Sequence, residues 1–470
     1  MQTHICSPVI VGLLLAVSAS AQTTQSAASA GCLNDWLREK NSEFNTWDLG
    51  GQVRARFESK SGFAVPGVAG AVDFSQATPD NNYWLLRARL HAGWKPADWL
   101  NLYAEARDSS SWNDQRNPEP ETDSFDLHQA FIGLGKAKDF PITARIGRQE
   151  LSYGDERLVG AFDWNNLGRV FDAAKVRYEH TDLWVDAFVG RVVLANDDHF
   201  NVANDYDWFS GIYASTKTLI PKQETQLYLL ARNTGAQSPG ATTGSPQSGG
   251  PPARDIYTLG LRVKSLTGQF GGWDYAAELA GQLGNFYDAG LVARLEHQAF
   301  AAHIAGGYTC EHATMAPRLG LEYNFASGDS DPTDRRHETF ENLFPTNHKF
   351  YGFMDFVSWQ NIHNIRFAAA AKPVQGLTLT LDYHCFWLAD TADFFYAVSG
   401  ASRATGGYGR NPNHSSFAGS ELDASATYAL KPWATAQLGY GHFFRGGYVK
   451  DSLAADQDAD WLYLQAVISF

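Results

Sequence analysis

The sequence predicts an all-β fold: a transmembrane antiparallel β-barrel of about 18 strands, with long outer loops and short periplasmic turns. Three observations predict it. Apolar and polar residues alternate with a period of two in segment after segment. The connections between those segments alternate between short and long. Beyond residue 21 no stretch approaches the roughly 18 consecutive apolar residues of a spanning helix. A closed barrel then remains as the way to cross a bilayer with every backbone group satisfied.

The N-terminus is read first. Val9–Val17 (VIVGLLLAV) is apolar but too short to span, since a membrane helix needs about 20 apolar residues. Ala19, Ser20 and Ala21 supply the small residues of a signal-peptidase site, with cleavage expected before Gln22. The leading MQTHICSP contains no Lys or Arg, which is unusual for such a leader. Residues 1–21 read as a signal peptide, 22–46 as an N-terminal periplasmic segment and 47–470 as the barrel. Cleavage removes Cys6 and leaves Cys32, Cys310 and Cys385, an odd number far apart, so no disulfide framework is expected despite export.

Alternation begins at Trp47. Through Glu58 the apolar set is Trp47, Leu49, Gly51, Val53, Ala55 and Phe57, interleaved with Asp48, Gly50, Gln52, Arg54, Arg56 and Glu58. Trp84 to Trp94 repeats the pattern around Arg87, Arg89 and His91, and Leu100 to Arg107 repeats it around Glu105 and Arg107. Leu377–Trp387 and Leu422–Leu430 do the same late in the chain. Several apolar faces end in aromatics, as an interfacial girdle would place them. Short connections include Lys95–Asp98, Lys372–Gly376 and Lys431-Pro432; long ones include Ser109–Ser124, Glu150–Asp172, Leu194–Tyr206, Ala326–Phe356, Ala389–Ser420 and Gly446–Ala459. Gly235–Pro252, rich in Gly, Ser, Pro and Thr, reads as an outer loop between flanking strands rather than a domain linker. The last alternating segment carries Leu462, Leu464, Ala466, Ile468 and a terminal Phe470 on one face, as a closing strand would.

Composition removes other classes. A net charge of −14 offers no basic excess to neutralise phosphates, which argues against a nucleic-acid binder. Aromatics at 13% argue against disorder. No H-E-x-x-H, P-loop, G-x-S-x-G or C-x-x-C occurs, so no enzyme and no cofactor is expected. Asp329–Asp334 begins like a calcium loop but lacks Gly at the sixth position and Glu at the twelfth, so a helix–loop–helix calcium site is rejected and no metal site is expected. His337, His348 and His363 are spaced without a metal pattern.

The charged half of the alternation would point into the lumen. That set contains Arg54, Arg56, Arg87, Arg89 and Arg107, then Arg145 and Arg148, with Lys175, Arg177, Arg294, Arg318 and Arg366 from later strands. Guanidiniums are costly in hydrocarbon, about 2–4 kcal/mol each at the midplane. Two readings stay open. The arginines form an electropositive path for anions, or they brace the interior against Glu58, Glu105, Glu278, Glu322 and Asp382.

Gly147–Asp172 (GRQELSYGDERLVGAFDWNNLGRVFD) carries a further signature: Gly147-Arg148-Gln149, Tyr153-Gly154, Arg157–Gly160, Asp163–Asn166 and Arg169-x-Phe171-Asp172. Phe340-x-x-Leu343–His348 followed by Tyr351–Asp355 adds a second stretch. Together they resemble the alginate export family of outer-membrane channels. The resemblance implies a barrel of 18 strands in the outer membrane, with an Arg-rich lumen that passes an anionic uronic-acid polymer. It also implies Arg148, Arg157 and Arg169 as pore-lining or loop-ordering residues, and a periplasmic delivery protein as partner. Asp155, Asp163 and Asp172 could equally pair with Arg157 and Arg169 to order a plug. The expected function is therefore an anion-passing channel for an acidic oligo- or polysaccharide. Its rivals are a secreted all-β polysaccharide-binding protein or lyase, and a barrel scaffold without transport.

Overall fold

The computed structural model describes residues 32–62, 80–116, 119–136, 140–235, 253–287, 294–398, 400, 411–453 and 457–470. The expected leader, residues 22–31 and all but the first residue of Gly235–Pro252 lie outside the described residues.

The chain opens with a short helix, α1 (Cys32–Lys40), and a 3-10 turn, Ser42–Thr46. Strands β1 (Trp47–Ser61), β2 (Asn81–Ala97), β3 (Leu100–Trp112), β4 (Asp123–Leu134), β5 (Ile142–Gln149) and β6 (Phe171–His180) follow. Next come β7 (Leu183–Leu194), β8 (Val202–Thr216), β9 (Gln223–Thr234), β10 (Arg254–Ser265), β11 (Trp273–Tyr287), β12 (Arg294–Thr309) and β13 (Arg318–Ala326). A two-residue strand, β14 (Arg336–His337), lies parallel to β12. The chain ends with β15 (Ile362–Ala371), β16 (Leu377–Leu388), β17 (Phe417–Lys431), β18 (Ala434–Arg445) and β19 (Ala459–Ser469).

Each long strand pairs antiparallel with its sequence neighbours, β13 with β15 across the short β14. β1 pairs with β2 on one side and β19 on the other, so the sheet closes into an 18-strand barrel. Closure runs to the last residue. Gly51 and Phe470 exchange backbone hydrogen bonds at 2.9 Å, and a side chain at Gly51 would strike the Phe470 ring and the Arg89 carbonyl. The longest connections, such as those between β5 and β6, β13 and β15, and β16 and β17, all lie at one end, and the tightest turns lie at the other. At the short-turn end α1 is tied to β1, where Asn34 donates to Asp48 at 2.8 Å and accepts from the Leu49 amide at 2.7 Å.

The burial pattern is inverted relative to a water-soluble sheet. Leu90 is 57% exposed, while Arg56 and Arg87 on the opposite face are 0% and 1% exposed. The exposed apolar positions continue round the wall through Ile132, Ile146, Val189, Leu259, Leu319 and Leu464. Aromatics gather near the strand ends, with Trp47 stacked on Trp94 at the short-turn end and Phe57 against Trp84 at the other. A soluble sandwich would bury that apolar face; this barrel offers it to lipid.

The hydrophobic core lies inside the tube. It is built by two inward-folded segments, loop A (residues 150–170, between β5 and β6) and loop B (residues 327–361, between β13 and β15). Leu151, Leu158 and Val159 of loop A pack with Phe340, Phe344, Met354 and Trp359 of loop B against inward aromatics such as Phe171, Phe209 and Phe443. The loops touch through a parallel bridge, Val159 to Phe344, with Gly160 and Phe344 amides donating at 2.8 and 2.9 Å.

Candidate functional site

The inward faces of β1–β3 carry a cluster of five arginines. Arg54 lies directly across the strand pair from Arg87, and Arg89 directly across from Arg107. Like charges in such register repel, so the cluster needs acceptors. Loop A supplies many of them, and wall residues such as Glu58, Gln52 and Asp123 supply others. Arg54 donates to the Asp163 carbonyl at 2.7 Å, the Asn165 carbonyl at 3.1 Å and Asn166 Oδ1 at 3.2 Å. Arg56 donates to the Trp164 carbonyl at 2.7 Å, lies 4.0 Å over the Trp164 ring and pairs with Glu58 at 2.7 Å. Arg87 and Arg89 share the Asp163 carboxylate at 2.9 and 3.1 Å. Arg107 pairs with Asp123 and donates to the Leu167 carbonyl. The Asp163 side chain stays 59% exposed, although of the arginines it bridges Arg87 is buried and Arg89 half-buried.

The two motif arginines on loop A turn elsewhere. Arg157 pairs with Glu322 on β13 at 2.7 Å, donates to Asn324 and to the Tyr351 hydroxyl, and lies 4.0 Å over the Phe350 ring. Arg169 donates to the Gly160 and Pro345 carbonyls at 3.1 and 2.8 Å, so it ties loop A to loop B. Burial, with the nearby Arg232 charge, brings the Arg169 guanidinium down to about 9. Asp155 pairs with Arg262 at 2.5 Å and Lys264 at 3.2 Å; those cations outweigh burial and hold its carboxyl below the usual range.

Loop B is fastened by a different set. Its Glu341 sits between Arg232 and Arg254 at 3.0 and 2.7 Å. Its Phe353 and Met354 amides donate to Asp423 and Glu421 of β17 at 3.2 and 2.8 Å. A side chain at Gly352, which sits at φ +88°, would collide with the Glu421 carboxylate, so glycine is required there. Its Asp329 amide donates to Asp393 at 3.0 Å.

The family model for alginate export matches residues 46–462, nearly the whole barrel. The chain belongs to the alginate export family. No curated protein matches it. Among solved structures it is similar to Pseudomonas aeruginosa OpdK with vanillate, at 12% identity and TM-score 0.55 over 90% of this chain and 98% of that one. It is also similar to Pseudomonas aeruginosa OpdQ, at 12% identity and TM-score 0.55 over 90% of this chain and 97% of that one. Pseudomonas aeruginosa OccD3 (OpdP) resembles it at 13% identity and TM-score 0.54 over 90% and 91% of the two chains. At these identities the likeness is one of fold. Family and fold together place this member of the alginate export family in the outer membrane as a channel barrel. The exposed apolar wall is the physical counterpart of that location, and the secreted soluble alternative falls with it.

Most of the expected lumen residues face inward, but two do not. Arg145 is on the inner face, 4.3 Å over the Phe131 ring. Arg148 is three residues further along the same strand, and a period of two cannot point both the same way. Arg148 shares the parity of the exposed Ile142 and Ile146 and lies on the outside of the wall. There it makes two hydrogen bonds to Asp172 at 2.8 and 3.1 Å and donates to the Leu127 and Asn201 carbonyls at 3.2 and 3.0 Å. The place explains the bonds. β5 pairs with β4 only over Ala130–Leu134, so the upper half of β4 lacks a strand on that side. Arg148, Asn201 and Asp197 replace the missing ladder, with Ser124 donating to Asp197 at 2.7 Å through its amide. Arg294 likewise shares the outward parity of the exposed Phe300. The carboxylates of the motif also pair differently from expectation: Asp163 of loop A with Arg87 and Arg89, Asp155 of loop A with Arg262, and Asp172 of β6 with Arg148.

Sequence reasoning missed the anchors on β8–β10 and β17. Asp207, Arg232, Arg254, Arg262, Glu421 and Asp423 are all buried, and all but Asp207 bond to a plug loop. Strand parity alone would have found them, since each alternates with lipid-facing neighbours such as Trp208, Leu229 and Leu261.

Proposed function

We propose that this outer-membrane channel passes an anionic oligo- or polysaccharide of the uronate type by passive diffusion, and that Arg54, Arg56, Arg87, Arg89 and Arg107 lower the anion's barrier. One observation carries the reading: two arginine pairs held in like-charge register across neighbouring strands, with loop A supplying acceptors to both. Pure braces would be built from opposite charges in that register. Arg54 is the clearest case, because its acceptors among the described residues all belong to loop A. With loop A seated, its Glu150 and Asp163 carboxylates join Glu58, Glu105, Glu121 and Asp123 of the wall and its β3–β4 connection within 4.0 Å of the cluster, and withdrawing the loop leaves five arginines against those four. Anion preference therefore belongs to the state in which the loop has moved, and binding must stay weak enough for release. The expected signal peptide supplies export, and a periplasmic delivery protein is the expected partner. Arg157 and Arg169 order the plug in this reading, and Arg145 lines the lower lumen.

Planar-bilayer recording tests it. Purified channel should prefer anions, Asp163→Asn should strengthen that preference, and uronate oligomers should block the current. Cation preference in the wild-type protein and in Asp163→Asn would defeat the proposal. Loop A's many bonds favour a second reading, a barrel scaffold with a shut lumen, and absence of any flux in liposome swelling would support it.

A further inference from the structure

We infer that the lumen holds a second binding surface, on β7–β10, built for the ring of an acidic sugar. The inference deepens the channel proposed above and rests on it. The surface is a rank of inward aromatic rings. Trp184 and Tyr213 stack at 5.8 Å with planes 10° apart, and Tyr213 and Tyr228 stack at 5.2 Å, again 10° apart. Parallel rings at these spacings overlap as an offset stack, a ladder onto which a further flat ring can step. Its border is polar: Tyr213 donates to Gln226 at 2.7 Å, Tyr228 to Glu278 at 2.8 Å, and Arg262 and Lys264 stand beside it.

Loop A occupies this face with a stand-in. The Tyr153 ring lies 4.6 Å from Tyr213, 18° from parallel, and its hydroxyl donates to Asp186 at 2.9 Å. Two residues later the Asp155 carboxylate meets Arg262 and Lys264. Between them Gly154 sits at φ +59°, where a Cβ would come within 2.9 Å of the Tyr213 hydroxyl. Only glycine lets the segment lie this flat. Tyr153 and Asp155 thus present a ring face, a hydroxyl and an edge carboxylate. A uronic acid residue presents the same three groups. The strand residues stay when loop A moves, so a ring-bearing acid can take the vacated place, while a ringless polyanion finds only the cations.

Block of the anion current distinguishes these cases. The probes are a galacturonate trimer, maltotriose (rings without carboxylates) and triglutamate (carboxylates without rings). The trimer should block best. Tyr213→Ala should weaken its block about fivefold to tenfold, the loss of one stacking contact. Tyr213→Phe should restore it, and triglutamate block should not change. Tyr153→Ala, which removes the stand-in ring without touching a strand, should tighten trimer block several-fold, and it serves where Tyr213→Ala fails to fold. Trimer block indifferent to both alanine variants overturns the platform while leaving the channel reading intact. Triglutamate block weakened equally by Tyr213→Ala also overturns it. Absence of any uronate block, with cation preference, removes both.

Discussion

Loop A is fastened by cations that donate to its backbone carbonyls and to Asp163, and loop B in large part by carboxylates that accept from its backbone amides. The two loops pack on one another in one lumen, yet they answer to different competitors. An anionic solute offers the same groups as loop A and can displace it from the arginines. On loop B it can compete for Arg232 and Arg254, which hold Glu341, but it has nothing to offer Glu421, Asp423 or Asp393. The arginines also keep their charge at every working pH, whereas a carboxylate lock can titrate. The comparison makes loop A the movable half of the plug and loop B the fixed half.

The largest expected effect comes from reversing the lock on loop A. In Arg87→Glu with Arg89→Glu, the Asp163 carboxylate faces two like charges in place of its two partners. Removing one partner of a buried pair costs about 3–5 kcal/mol, and the exposure of Asp163 puts this case at the lower end. Loop A should leave its seat, conductance should rise and anion preference should fall. Hydrogen exchange should accelerate across 160–168 and stay slow across 350–357. Equal acceleration in both loops would erase the distinction between them.

A smaller effect is expected where charge sits outside the lumen. Arg148 is six residues above Ile142, roughly 15 Å up the wall at about 3.3 Å per residue and ~40° tilt. That is inside an apolar band about 25 Å tall. Arg148→Met strands Asp172 there and frees two carbonyls, a loss of about 2–3 kcal/mol. The barrel's urea midpoint should fall while ion selectivity and oligosaccharide block hold. A change in selectivity would mean that Arg148 acts on loop A, whose first residue follows two positions later.

How much of this the sequence displays depends on range. Period-two alternation is local, so β1–β3, the terminal strand and the inward placement of Arg54, Arg56, Arg87, Arg89 and Arg107 could all be read from neighbouring residues. The partners could not. Asp163 meets Arg87 across 76 residues and Arg157 meets Glu322 across 165, and no local rule sets such a contact. Arg148 failed for another reason. The stretch after it reads as continuous motif, but the strand ends at Gln149 and the parity of Arg145 had already fixed Arg148 outward. Loop B was legible as a long connection that carries the second stretch of the family resemblance, but not as a plug. That it folds inward follows from the apolar run Phe340 to Trp359, too greasy for an outer loop and buried against inward aromatics.

The smallest expected effect separates the loops by pH. Asp329 and Asp393 hold the ends of loop B and of the loop after β16 together, through the Asp329 amide and through Thr339, which donates to Asp393 at 2.5 Å. Burial, and then the Asp393 charge, raise the Asp329 carboxyl to about 7, and burial raises Asp393 too. An acid whose pKa rises on folding favours the folded contact while protonated. Its contribution is complete below the unfolded value, about 3.9, and is lost as pH climbs through 7. Exchange across 327–340 should therefore quicken between pH 4 and pH 8. Exchange across 160–168 should stay flat beyond the intrinsic rise, because arginines secure it. Asp329→Asn keeps a neutral side chain there at every pH and should shrink the difference to what Asp393 alone contributes. A step of the same size in loop A would show that the two halves of the plug open as one body.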